Sequence, residues 1–143
     1  LMEPGRSIVA DAGMTLYTVG SIKRIPGYKQ YAAVDGGMTD NPRYALYQSR
    51  YTVYHGSKTG PTERFDVVGR CCESGDIIQP HVELPADTCR GDILAVCTTG
   101  AYNYSMASNY NRLPRPPIVM LTPEGSYTAV RRETFADLTA LDE

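Results

Sequence analysis

A thiol and a carboxylate stand side by side at Cys72-Glu73, within Gly69-Arg-Cys-Cys-Glu-Ser-Gly-Asp76. A cysteine can give or take a proton, and an acid beside it can hold a substrate ammonium. The serine, glycine and aspartate that follow are the material of a tight turn. Arg64-Phe-Asp-Val-Val68 before them reads as a strand, so the pair is expected where a strand ends and reactive groups are commonly displayed. The same residues also suit a plain turn with a buried cysteine and a solvated glutamate, since free cysteines are mostly inert core residues.

Other groups could do chemistry. Arg43 and Tyr47 are four apart, so in a helical turn over Asn41–Tyr47 they share one face. That pairing builds a small anion site or a cation–aromatic surface pair. Glu3 and Arg6 flank Pro4-Gly5, a pair that bends the chain, and an arginine there can fork onto a phosphate or carboxylate. An ordinary turn with a surface Glu3–Arg6 ion pair uses the same residues.

The elements that must carry these groups are short strands with frequent turns. Strands are expected over 15–25, 31–34, 51–55, 65–68, 77–84, 92–97, 118–121 and 127–132, with Asp92–Cys97 as a central buried strand. Asp35-Gly-Gly37 and Pro123-Glu-Gly125 are turns, and Pro114-Arg-Pro-Pro117 forces an extended passage. Short helices are expected at Ser105–Tyr110 and Glu133–Leu141, the latter with Thr134 as N-cap. This pattern argues a mainly β fold, a barrel or sandwich.

Length and composition bound the reading. A chain of 143 residues allows one domain with a real core. Net charge is −2, without the basic face that nucleic acid requires. No apolar run approaches a membrane span, and no secretory leader is visible. Cys71, Cys72, Cys89 and Cys97 show no CxxC pair and no metal-ligand spacing. No metal site is expected, and a reduced, cytoplasmic setting fits best. Eleven tyrosines against two phenylalanines and no tryptophan hint at interfaces or a polar pocket.

Seven motifs in order carry a resemblance: Glu3-Pro-Gly-Arg-Ser-Ile-Val-Ala10, Val34-Asp-Gly-Gly-Met38, Arg43 with Ala45-Leu-Tyr47, Cys72-Glu-Ser-Gly-Asp76, Gly91-Asp-Ile-Leu-Ala95, Gly100-Ala-Tyr102 and Met106-Ala-Ser-Asn-Tyr-Asn111. Together the chain resembles the diaminopimelate decarboxylase family, in the alanine-racemase-like class of pyridoxal-phosphate decarboxylases. The resemblance covers almost the whole chain but only the C-terminal portion of the family. It implies that residues 1–10 end a (β/α)8 barrel otherwise missing here, and that 11–143 form the β-domain. The family's Schiff-base lysine lies in that barrel; Lys23, Lys29 and Lys58 match no such motif, so the chain alone is expected to be inactive.

The resemblance also assigns roles. Glu3 would face the pyridinium nitrogen, Gly5 and Arg6 would hold the cofactor phosphate, and Tyr102 would donate to that phosphate; Arg6 and Tyr102 would also reach substrate. Arg43 and Tyr47 would hold the distal carboxylate of diaminopimelate, Glu73 its distal ammonium, and Cys72 would return a proton to Cα. In this family the Cys-Glu pair crosses to the partner's active site, which implies a homodimer. Related ornithine decarboxylases carry Cys-Asp; Glu73 together with Arg43 suits a zwitterionic substrate tail. Arg70-Cys71 stands where the family often has proline. The alternatives are a decarboxylase of ornithine, arginine or carboxynorspermidine, and a non-catalytic dimerisation or regulatory β-domain.

Overall fold

Alternating side chains set the inner and outer faces of the main sheet. In the computed structural model, which describes residues 1–143, β1 (Met14–Ile25) buries Tyr17 and Val19 and turns Met14 and Leu16 outward. Its first half pairs antiparallel with β6 (Ile93–Cys97), its second half with β2 (Lys29–Val34). The register breaks between Val19 and Ser21, at Gly20, so one long strand serves two neighbours around a corner. β2 then runs parallel to β4 (Thr62–Val68), and β4 pairs antiparallel with β5 (Ile77–Pro85). β3 (Val53–His55) completes the six-stranded order β3-β6-β1-β2-β4-β5.

The two edge strands approach each other, and the sheet nearly closes into a barrel. Between them the Tyr51 amide donates to Gln79 Oε1 at 2.8 Å in a buried contact. The interior is filled by one apolar cluster, with Phe65, Val67, Ile78, Leu84, Leu94 and Val96 among its fully buried members. A second sheet, β7 (Ile118–Thr122) with β8 (Gly125–Val130), stands apart as an exposed hairpin.

Helices are short: α1 (Arg6–Val9), α2 (Arg43–Tyr47) and α3 (Phe135–Leu138). None is long and apolar enough to cross a membrane. Thr134 caps α3 as expected, through a reciprocal capping box with Asp137, though the helix is shorter than Glu133–Leu141.

Three expectations are corrected. Ser105–Tyr110 is not helical; it makes turns, ending in one 3-10 turn at Tyr110–Arg112. The Ser105 hydroxyl bonds back to Tyr102 O (3.0 Å), Asn109 Nδ2 bonds Leu113 O (3.0 Å), and Tyr102, Asn111 and Arg112 take left-handed φ. Polar side chains have out-competed the helix for the backbone. β6 is not buried on both faces: Leu94 and Val96 point inward while Ile93 is 40% exposed. No Glu3–Arg6 ion pair forms; Arg6 lies over the Tyr51 ring, 5.3 Å from its centre.

Candidate functional site

Three loops at one end of the sheet carry the candidate residues, and a buried carboxylate knots two of them. Asp76 is 5% exposed. Its Oδ1 accepts from the Met38 amide and its Oδ2 from the Cys71 amide, each at 2.6 Å. A β-carbon at Gly37 or Gly69 would collide with this carboxylate, which is why both positions need glycine. Asp40 closes the 35–41 loop: its Oδ1 accepts from Gly37 N at 2.9 Å, and its Oδ2 accepts from the Tyr17 hydroxyl. Burial pushes the Asp40 carboxyl up, against the hydrogen bonds from Tyr17 and Gly37. Burial, then the Asp40 charge, pushes the Tyr17 phenol well above its ordinary value. The third loop joins at Thr39, whose carbonyl accepts from Ser108 N at 2.8 Å.

Arg43 projects from α2 between two tyrosine rings, 5.2 Å from the centre of Tyr47 and 4.9 Å from that of Tyr102. The expected Arg43–Tyr47 face is therefore formed, with a second ring added from the third loop. Nη1 meets only a thioether, Met106 Sδ at 3.8 Å, and Nε is buried without a partner. No carboxylate of the chain pairs with Arg43. A buried guanidinium donor left unmet costs about 1–3 kcal/mol, so this geometry suits an incoming anion.

Gly5 and Tyr102 also meet, with Arg6 next in the chain. The Tyr102 hydroxyl sits so close to Gly5 that a β-carbon there would strike it. Arg6 makes no ion pair, and its guanidinium stacks on Tyr51. A hydroxyl, a bare glycine backbone and an unpaired guanidinium form a donor set that fits a phosphate. Glu3 is exposed and is not brought against any of these residues.

Cys71 and Cys72 part company at the turn. Cys71 is fully buried, with Sγ 3.9 Å from Thr39 Oγ1, and burial together with the Asp76 carboxylate pushes its thiol up. Cys72 is exposed and, with Glu73, lines a groove of about 330 Å³ shared with Lys29, Tyr31 and Asp66. The reason is the turn geometry rather than strand alternation, because β4 ends at Val68. Glu73 Oε1 accepts from the Ser74 amide at 3.0 Å, and Oε2 from the Tyr110 hydroxyl at 3.5 Å.

No hydrogen bond, ion pair or cation–aromatic contact joins the Cys72–Glu73 group to the Arg43 group. A larger cleft, about 780 Å³ at the β1–β2 turn, contains none of the residues singled out from sequence. Two of the three lysines are occupied. Lys29 pairs with Asp66 at 2.7 Å and Lys58 with Asp92 at 2.8 Å. Burial raises Asp92, but hydrogen bonds from Lys58, the Cys89 amide and His55 outweigh it and hold the carboxyl well below the usual range. Sequence reasoning read Asp76 only as turn material and gave no role of its own to Asp40, Met106 or Tyr110. The only signal available was the glycines that precede the two acids.

Comparisons with known proteins follow the same lines. The family profile described as pyridoxal-dependent decarboxylase, C-terminal sheet domain, matches residues 7–100. The chain is 51% identical over 143 residues to diaminopimelate decarboxylase of Bacillus subtilis, covering 99% of this chain and 32% of that protein. Its fold is similar to the crystal structure of diaminopimelate decarboxylase from M. jannaschii in co-complex with L-lysine, with TM-score 0.93 and 38% identity over 99% of this chain and 32% of that one. A more distant likeness is the lysine/ornithine decarboxylase from Vibrio vulnificus complexed with cadaverine, with TM-score 0.70 and 26% identity over 79% of this chain and 31% of that one. The chain thus spans about a third of the length of the relatives it matches. With its nearly closed sheet, its ordered motifs and the profile match together, the chain belongs to the pyridoxal-dependent decarboxylase family, as the C-terminal sheet domain.

Proposed function

We propose that the chain is the C-terminal part of a decarboxylase that converts meso-diaminopimelate to L-lysine and carbon dioxide, with residues 1–10 ending a (β/α)8 barrel and 11–143 forming the sheet domain. The observation that carries this reading is Arg43. It is held between Tyr47 and Tyr102, has a buried Nε without an acceptor, and pairs with no carboxylate of its own chain. A substrate with a distal carboxylate completes it. Lysine and ornithine, lacking that group, leave it unmet.

The remaining roles are those the family resemblance implies. Gly5, Arg6 and Tyr102 hold the phosphate of pyridoxal phosphate, most of whose contacts come from the barrel, and Glu3 reaches the pyridinium nitrogen once that domain is present. When bound, the cofactor supplies the electron sink that decarboxylation requires, while protein groups supply orientation and charge. Glu73 takes the distal ammonium. Cys72 holds a proton on Sγ and delivers it to Cα after carbon dioxide has left, where the electron pair of the broken C–C bond accepts it. Cys72 and Glu73 are exposed and unconnected to the Arg43 group, which favours a homodimer in which this pair serves the partner's site. Four free cysteines suit a reducing, cytoplasmic setting.

The test is kcat/KM for meso-diaminopimelate, lysine and ornithine in the two-domain enzyme and two variants. Stranding a buried charge costs several kcal/mol, so Arg43→Ala should lower diaminopimelate turnover by about a hundredfold or more and leave the other two nearly unchanged. Glu73→Gln should lower all three, because each carries a distal ammonium. An Arg43→Ala enzyme that keeps its diaminopimelate preference overturns the assignment and returns the substrate question to lysine and ornithine.

A further inference from the structure

Glu73 stands on an exposed turn, and a glutamate there samples many rotamers unless something holds it. Both of its oxygens are engaged, and by different elements. Oε1 accepts from the Ser74 amide at 3.0 Å and from the Ser74 hydroxyl at 3.4 Å, all within the turn. Oε2 accepts from the Tyr110 hydroxyl at 3.5 Å, across 37 positions of sequence. Tyr110 is half-exposed, yet its backbone is braced on both sides. Ser108 N donates to Thr39 O at 2.8 Å, and Asn109 Nδ2 donates to Glu133 Oε2 at 2.6 Å and to Leu113 O at 3.0 Å. Asn111 and Arg112 continue in left-handed conformation, which fixes the direction in which the loop leaves the tyrosine.

We infer that Tyr110 is a positioning residue that aims the Glu73 carboxylate at the distal ammonium of the substrate and so sets affinity for the tail. This rests on the reading of Glu73 as the ammonium acceptor. The local bonds from Ser74 occupy both lone pairs of Oε1, whereas Oε2 accepts one bond and keeps a lone pair for a ligand. The phenol donates at most one hydrogen bond, long at 3.5 Å, which orients Oε2 while leaving a second lone pair for the ammonium. Tyr110 touches no reacting atom, and its effect belongs in binding rather than in the chemical step.

The experiment is a double-mutant cycle in the two-domain enzyme, with Tyr110→Phe, Glu73→Gln and the pair together. KM and kcat are measured for meso-diaminopimelate, and binding of L-lysine by calorimetry. Tyr110→Phe keeps the ring and should raise KM and weaken lysine binding by about threefold to tenfold, with kcat nearly unchanged, because a long, solvent-exposed hydrogen bond contributes less than a short buried one to a charged acceptor. In the Glu73→Gln background the same substitution should do nothing further. If Tyr110→Phe binds lysine like the parent while Glu73→Gln binds it poorly, the positioning role is overturned and the Glu73 assignment stands. If Tyr110→Phe is as harmful with Gln at 73 as with Glu, Tyr110 acts on something else and the inference is again overturned. If Glu73→Gln alone changes nothing, the ammonium assignment fails first, and the inference fails with it.

Discussion

Replacing Asp76 tests whether one buried carboxylate holds the candidate site in shape. The side chain is 5% exposed and makes two backbone hydrogen bonds, to Met38 N and Cys71 N, each 2.6 Å long. Hydrogen bonds to a charged acceptor contribute about 1.5–3 kcal/mol apiece, and a buried donor left unpaired costs about 1–3 kcal/mol. Asp76→Ala removes both acceptors at once. Allowing for water entering the space, the expected loss is about 3–5 kcal/mol. Asp76→Asn keeps one acceptor oxygen but turns an amide NH2 towards a backbone N–H, for a loss of about 2–3 kcal/mol. With a urea slope of about 2 kcal/mol/M, the alanine variant should unfold roughly 1.5–2.5 M earlier. The assay is urea unfolding followed by circular dichroism, with amide hydrogen exchange at Met38 and Cys71 as the local probe. Those two amides should lose protection even where the rest of the sheet keeps it. A shift below about 0.5 kcal/mol with Met38 and Cys71 still protected would mean that the loops are held by something else, and the knot at Asp76 would have to be abandoned.

Two further outcomes follow from the same geometry. Cys72→Ala in the two-domain enzyme should lower kcat or misdirect the returning proton with little effect on stability, whereas Cys71→Ala, at a fully buried thiol, should lower stability and spare kcat; equal kcat losses from both would contradict the assignment. Glu133 is held from its ordinary 4.5 down to about 2 by Arg115, whose side chain and amide both donate to it, with Asn109 adding a further bond. A depressed carboxyl stabilises fully above its unfolded value and progressively less as pH falls through the folded one, so melting temperature should drop between about pH 4.5 and 2 more steeply in the parent than in Glu133→Gln, and parallel curves would refute the linkage.

Much of the fold was readable because alternation is a local signal. Tyr17 and Val19 against Leu16 in β1, or Phe65 and Val67 in β4, announce one buried face without reference to anything distant. The capping box at Thr134 and Asp137 is local too. The misread segment at 105–110 has residues that tolerate a helix, but its serines and asparagine find carbonyls nearby and in Thr39, and tertiary contact decides. The site was legible as a set of residue types and illegible as an arrangement. Arg43 meets Met106 across 63 positions and Asp76 meets Met38 across 38, and no spacing rule reports such contacts. Asp76 reads as a turn residue and Asp40 carries no reading of its own, and only the folded chain reveals them as acceptors for backbone amides.

Asp76 and Thr39 stand where three loops meet. Asp76 binds the loop that leads to Arg43 to the loop that carries Cys72 and Glu73, through Met38 N and Cys71 N. Thr39, one residue from Met38, accepts from Ser108 and touches Cys71 Sγ, so the loop bearing Tyr102, Met106 and Tyr110 meets the other two at the same place. Arg43 and Glu73 lie in separate groups with no direct contact, yet buried hydrogen bonds fix each to this common centre. Interiors of this kind transmit displacement rather than absorb it. The placement of Arg43 and of Glu73 on the sheet domain is therefore set by one common centre, and in a dimer in which Glu73 serves the partner's site that centre sets how each group is presented across the interface. Substitutions at the knot should disturb both groups together, where substitutions at Arg43 or Tyr110 disturb only one.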